Sequence, residues 1–261
     1  MTAIAASFDS AQRRFVIAAD GRVASQTLPM HVLTDSQQKI FFLERKLFTV
    51  AYSMTGLSRS SSFDMLSEIS RQTETLTARR FVDGYAFVHK LGFNIAKVLE
   101  RAVKEDRITN LQDCEDLAPE EKGRMLRILP LGFYGTRPFW AIASLYYGRA
   151  SHRFSVRYQD FELDQFRTAP LGSDKIAAMV YEGGPVDPRL QRYRDTADNA
   201  PDALARTAVF VQACSDPVAV EIDPWCRTIG GHLHAAELTE TGFRWLIPPA
   251  AARSQNTPQR A

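Results

Sequence analysis

The stretch from Met1 to Gly56 constrains the fold more than any other. It holds the apolar runs Ala3 to Phe8 and Phe15 to Ala19, the second closed by Asp20-Gly21-Arg22. The runs Lys39 to Leu43 and Leu47 to Met54 follow, split by the charged turn Glu44-Arg45-Lys46 and ended by Gly56. Each run is short, apolar and bounded by turn formers or charge, which is the pattern of a buried strand. The polar loop Asp9 to Arg14 makes the first two a hairpin, while Val23 to Val32 reads as irregular chain or a further short strand, weakened by Pro29.

Helical spacing takes over after Gly56. Ser60-Ser61-Ser62 offers N-caps for a helix carrying Phe63, Leu66 and Ile69. A longer helix is expected from Tyr85 to Asp106, with Phe87, Leu91, Ile95, Val98 and Ala102 as its apolar stripe. The polar, acidic stretch Ile108 to Glu121 then connects to strands at Ile128 to Tyr134, Phe139 to Tyr146 and Phe154 to Tyr158, with a weaker one at Phe161 to Thr168. Pro170 to Asp174 turns into a helix from Lys175 to Tyr181. The stretch Glu182 to Pro201 reads as polar loop, and a second helix runs from Asp202 to Cys214. Gly230 to Leu238 and Gly242 to Leu246 form a closing hairpin, and residues 249–261 lack periodicity and are expected to be a disordered tail. Runs of strands and runs of helices, not strict alternation, argue for an α+β fold with mainly antiparallel sheets. Several strands are apolar on both faces, so two stacked sheets with helices outside would satisfy them. No interior linker divides residues 1–248, which are expected to form a single domain.

Composition excludes some classes. The net charge of +2 argues neither for nor against a nucleic-acid partner, and none is expected because no RNA-binding motif is present. No apolar run approaches the ~20 residues that span a bilayer, so no membrane partner is expected either. The N-terminus lacks a basic region followed by an apolar stretch, as a secretory signal would have. Cys114, Cys214 and Cys226 are odd in number and far apart, which suits a reducing cytoplasm better than a disulfide framework or a zinc site. His232 and His234 fall at i, i+2, open to a metal pair or to cross-strand packing, with no further histidine nearby in sequence. Arg149, Arg153 and Arg157 among tyrosines read as a solvated strand face.

The first fifty-six residues, with Gly172-Ser173 and the closing hairpin, resemble the proteasome-type β subunits and other N-terminal-nucleophile (Ntn) hydrolases. Thr2-Ala3-Ile4-Ala5 stands where the family has its nucleophilic threonine and first strand. Ala18-Ala19-Asp20-Gly21-Arg22 matches the end of its second strand. Lys39-Ile40-Phe41 and Val50 to Gly56 match the strands that follow. The resemblance implies a four-layer αββα sandwich of two stacked, mainly antiparallel sheets. It implies a threonine-type peptidase or amidase, needing neither cofactor nor metal, that self-associates as a homo-oligomer, often a ring. The implied catalytic residues are Thr2, Asp20, Ser173 and Gly56. Thr2, freed by removal of Met1, would carry both the hydroxyl nucleophile and an α-amine whose pKa of roughly 7.7–8.0 lets it accept a proton near neutrality. Removal of Met1 is expected because a small residue follows it, and no propeptide is then required. Asp20 would orient the terminus, the Gly56 N–H would face a developing oxyanion, and Ser173 would be the auxiliary serine.

One position departs from the family. Its active members carry a lysine four residues before the Lys-Ile-Phe lysine, and here that position holds Asp35. A carboxylate there opposes the charge the reaction needs, so a catalytically silent relative kept for assembly or binding is the alternative to an active hydrolase. Asp216 and Asp223 are both candidates for the family's second acidic residue. Each site residue also has a plain structural role open to it: Asp20 as a turn cap with Gly21, Ser173 as a helix N-cap, Gly56 as a turn glycine, and Thr2 as the second residue of an unprocessed chain.

Overall fold

In the computed structural model of the chain, the structure describes residues 2–24, 31–56, 59–60, 63–108, 123–148, 151–161, 163 and 168–250. Strands β1 (Ile4–Asp9), β2 (Arg14–Ala19), β3 (Val23–Ala24), β4 (Val32–Thr34), β5 (Phe41–Arg45), β6 (Phe48–Gly56), β7 (Arg59–Ser60) and β8 (Phe63–Asp64) come first. Helices α1 (Met65–Thr77) and α2 (Gly84–Lys104) lead to β9 (Arg124–Tyr134), β10 (Arg137–Gly148), β11 (Arg153–Asp160) and β12 (Thr168–Leu171). Helices α3 (Asp174–Tyr181), α4 (Gln191–Asp198), α5 (Ala203–Ser215) and α6 (Pro217–Ile222) precede the hairpin β13 (His234–Thr239) and β14 (Gly242–Ile247). The fold is α+β with antiparallel sheets, and the chain separates into two compact units, Met1–Phe41 with Leu163–Ala261, and Phe42–Glu162.

The first unit is built on a five-stranded sheet in the order β12-β1-β2-β13-β14, each neighbouring pair antiparallel. One face is lined by small residues, Ala3, Ala5, Ala18 and Ala235, which let α5 approach closely and pack Val209, Phe210 and Ala213 against the strands. The opposite face presents Ile4, Phe15, Ile17 and Leu238 and is also fully buried. Phe8 and Phe15 close it with ring centroids 4.7 Å apart. As expected, the hairpin Ala3 to Ala19 lies inside the sheet.

Elsewhere the elements shift from their expected places. The weak strand at Phe161 to Thr168 is instead β12, Thr168–Leu171, and residues 162 and 164–167 lie outside the described residues. Pro170 sits in it because β12 is an edge strand, where a missing N–H costs no ladder bond. Helix α4 arises in a polar stretch and α6 in a short apolar one, and neither has a long apolar stripe. Their starts are set by Asp187, which caps the turn leading into α4, and by Asp216, which accepts from the Val218 N–H at 2.9 Å.

The second unit carries the sheet β11-β10-β9-β6-β5. Helix α1 packs beside α2, which lies on β9, β10 and β11. The stripe of α2 is Phe87, Leu91, Ile95, Leu99 and Ala102, so the last turns are rotated by one position from Val98 to Leu99. Phe87 stacks near Phe48 at 5.0 Å and near Phe139 at 6.0 Å. Helix α1 is capped by Asp64, whose side chain accepts from the Leu66 N–H at 3.1 Å. Of the serines expected to cap it, Ser61 and Ser62 lie outside the described residues. So do most of the Ile108 to Glu121 connection and residues 251–261 of the expected tail. No helix among the described residues is long and apolar enough to cross a membrane.

Candidate active site around Asp20 and Lys39

Register within the first unit brings the start of β1 against the end of β2. Ile4 pairs with Ala19 on one side and with Leu171 on the other. Continuing those ladders by one residue sets Ala3 opposite Asp20 and opposite Gly172. The Asp20 N–H donates to the Ala3 carbonyl at 3.1 Å, and the Ala3 N–H donates to Asp20 Oδ1 at 2.9 Å. The Asp20 carboxylate is therefore one peptide unit from Thr2, which is itself half-buried.

Four donors converge on that carboxylate. Oδ1 takes the Ala3 N–H and the Lys39 ammonium, the latter at 2.9 Å, and Oδ2 takes the N–H groups of Arg22 and Gly230, both at 3.2 Å. A carboxylate has about four lone-pair sites, and all are used. The Arg22 bond is the turn cap read from the sequence, so Asp20 serves as cap and as the centre of the cluster together. Lys39 Nζ also donates to the Arg22 carbonyl at 2.6 Å, which fixes the ammonium between carboxylate and backbone.

The cation beside the Asp20 carboxylate is Lys39. Lys39 does not belong to a strand, since β5 starts only at Phe41. The residue lies in the preceding loop and turns inward. Asp35 lies elsewhere: half its side chain is exposed, and it pairs with Arg22 Nε at 2.7 Å. Its own carbonyl accepts the His232 N–H at 2.7 Å, tying the loop to the chain before β13. Gly231, at φ +73°, turns there with no room for a side chain, because an added Cβ would lie 2.6 Å from the Asp35 oxygen. The Asp35–Arg22 pair holds Asp35 below the usual carboxylate range, through the hydrogen bond from Arg22.

His234 opens β13, is fully buried, and accepts the Lys39 backbone N–H on Nε2 at 3.0 Å. With Nε2 accepting, Nδ1 carries the proton and points toward the His232 carbonyl at 3.5 Å. Burial pushes His234 down to about 4. His232 lies before the strand and its Nε2 contacts the Pro248 carbonyl at 2.8 Å. The two imidazoles thus have separate partners, and the described residues hold no group of three or more His, Cys, Asp or Glu side chains able to bind a metal.

Ser173 is buried and caps α3, its Oγ accepting the Ile176 N–H at 3.2 Å. The preceding Gly172, at φ +143°, abuts Thr2: an added Cβ would lie 2.9 Å from the Thr2 oxygen. Ser173 is therefore both a helix cap and a neighbour of the start of β1. Cys214 and Cys226 are free and buried, and burial pushes the Cys214 thiol up. Asp216 and Asp223 are caps, of α6 and of the turn Pro224–Thr228, and neither donates to or accepts from the Asp20 cluster. Gly56 belongs to the second unit, where its φ of +103° ends β6 and an added Cβ would lie 2.3 Å from the Met125 oxygen. That is its turn role.

The Lys39 amine is buried beside the Asp20 carboxylate. Burial is the largest influence on the amine and lowers its pKa, with Asp20 opposing. Sequence reasoning singled out Asp20 and Ser173, took Lys39 only as part of a strand, and took His234 only as half of a metal pair or as cross-strand packing. The signal for Lys39 was its place directly before an apolar run, in a loop free to fold inward. No protein-family model matches the chain, and no curated protein matches it.

Proposed function

We propose that the chain is an Ntn hydrolase of the proteasome-like kind, a threonine-type peptidase or amidase acting through Thr2. The observation that carries this reading is the buried Lys39–Asp20 pair, bonded to the Ala3 N–H one residue from Thr2. A buried ion pair of this sort is weak evidence for stability, and its placement at the very start of a strand suits chemistry better. In the proposed reaction Thr2 Oγ adds to an amide carbonyl carbon while its proton passes to the free α-amine, the Lys39 ammonium staying charged beside Asp20. The amine product leaves with that proton, and water cleaves the resulting ester to restore Thr2. The reading requires Thr2 to be the N-terminus.

With Lys39 beside Asp20, the absence of a cation no longer argues for a silent relative. The proposal extends to a four-layer αββα arrangement, supported by strands β1, β2 and β6, which are buried on both faces, and to self-association as a homo-oligomer. The test is labelling by a threonine-directed electrophile, with intact mass showing where the chain begins. A protein that starts at Thr2 should gain one adduct there, and Thr2→Ala should gain none while keeping its circular dichroism. Failure of a chain starting at Thr2 to label would sink the proposal.

A further inference from the structure

Lys39 is a loop residue on a long, flexible stem, yet its ammonium is held in one place. The Asp20 and Arg22 oxygens hold the tip. Something must also hold the backbone from which the stem departs, because a loop free to move by an ångström would carry the amine off the site. The group that does so is His234. We propose that His234 is a positioning residue for Lys39: its unprotonated Nε2 accepts the Lys39 backbone N–H, fixes the loop just before β5, and so aims the side chain at Asp20. This rests on the hydrolase reading for its catalytic meaning, but not for its geometry.

The surroundings of His234 support the assignment. On β2 its strand partner is Ala19, and from β14 the Trp245 ring lies 6.1 Å away. The titratable groups that face it are Lys39 and His232, and both oppose a positive charge on the ring, as does burial. The ring is therefore kept neutral and kept an acceptor at neutral pH. Protonating Nε2 would turn the acceptor into a donor aimed at another donor and add a cation beside Lys39. Lys39 should then lose its fixed position as acid charges His234, at a pH near 4.

Nuclear magnetic resonance on the intact chain tests this without turnover. In the wild type, the ring nitrogen shifts should give an unprotonated Nε2 and a protonated Nδ1 at pH 7. Acidification should expose the Lys39 amide to hydrogen exchange in step with His234 protonation. His234→Gln offers an oxygen near the Nε2 position, whereas His234→Leu offers none. His234→Leu should speed Lys39 amide exchange by about tenfold or more, the worth of one hydrogen bond. It should also move the Lys39 amine titration upward toward that of a free lysine, and His234→Gln should do neither. A merely structural histidine would change stability and leave the amine titration where it is.

A proton on Nε2 in the wild type overturns the proposal. So does a folded His234→Leu whose Lys39 amine titrates as in the wild type. Should His234→Leu fail to fold, the wild-type ring nitrogens and the acid titration decide. The two readings separate cleanly. If Thr2 never labels but these signatures hold, the hydrolase reading fails and the positioning stands. If Thr2 labels but they do not hold, the positioning fails alone.

Discussion

At the scale of single residues the cluster depends on two buried groups, Lys39 and His234. Lys39→Met keeps the stem and deletes the charge, leaving the Asp20 carboxylate without its cation. Breaking a buried pair in this way costs about 3–5 kcal/mol of stability, and losing a fixed cation beside the reacting group costs roughly 10²- to 10³-fold in rate. Urea unfolding and electrophile labelling should register both losses. Asp35→Lys should do neither: its pair with Arg22 is half exposed, worth under about 1 kcal/mol, and adding a cation there leaves Lys39 where it was. A rise in Thr2 reactivity in Asp35→Lys would restore the original assignment of that position. His234 makes the fold acid-sensitive. Its folded pKa of about 4 lies below the ordinary 6.5, so the unfolded chain binds the extra proton between those values. The stability it contributes is complete above pH 6.5 and is lost as pH falls toward 4, by about 3 kcal/mol across the window. Urea titrations at pH 7 and pH 4.5 should show that loss, and His234→Gln should flatten it. Asp20 was legible in the sequence because a carboxylate ending an apolar strand before Gly21 has few roles. Lys39 was not, because counting from a motif cannot say which of two loop residues folds inward. His234 was hidden by its neighbour, since two histidines at i, i+2 suggest a shared face, and only the start of β13 separates them.

At the scale of elements the strands were the most legible part. The hairpin of β1 and β2, the chain of β6, β9 and β10, and the closing hairpin all announce themselves by runs of apolar residues that cannot be exposed. What escaped was set by single polar caps and not by long apolar pattern: α4 in polar chain, the six-residue α6, and the start of α1 at Asp64. The seat of α2 on its sheet depends on a residue the stripe omits, Gly84. A Cβ there would lie 2.0 Å from Phe139 Cδ1, and Phe139 is only 1 % exposed within the Phe48–Phe87–Phe139 cluster. Gly84→Ala gains up to about 1 kcal/mol of helix propensity, yet it must push a packed aromatic ring, and overpacking of that kind costs about 1–3 kcal/mol. The balance is destabilising. Thermal unfolding of Gly84→Ala should show a lowered midpoint, and a midpoint at or above that of the wild type would mean that α2 slides on its sheet.

At the scale of the whole molecule, the prediction is self-association, proposed here from the likeness to proteasome-type subunits. Both ends of the first half of α2 offer apolar surface to solvent: Val82, just before the helix, is 85 % exposed, and Phe93 is 50 % exposed. Phe93 is flanked by Lys90 and Lys97, whose ammonium groups lie 4.8 and 5.7 Å from its ring centroid. That flanking explains how the ring is tolerated in water and sets up a clean variant. In Phe93→Glu the new carboxylate falls between two lysines on its own helix, so the monomer keeps its fold while the apolar contact is lost. A stable interface buries about 1,200–2,000 Å² in total, more than these two side chains supply, so they would mark part of a larger surface. Light scattering at micromolar concentration should give a mass that is a multiple of the chain's, and Phe93→Glu should lower it with the circular dichroism unchanged. A wild-type monomer would refute self-association. A Phe93→Glu protein that stays fully assembled would move the interface away from α2.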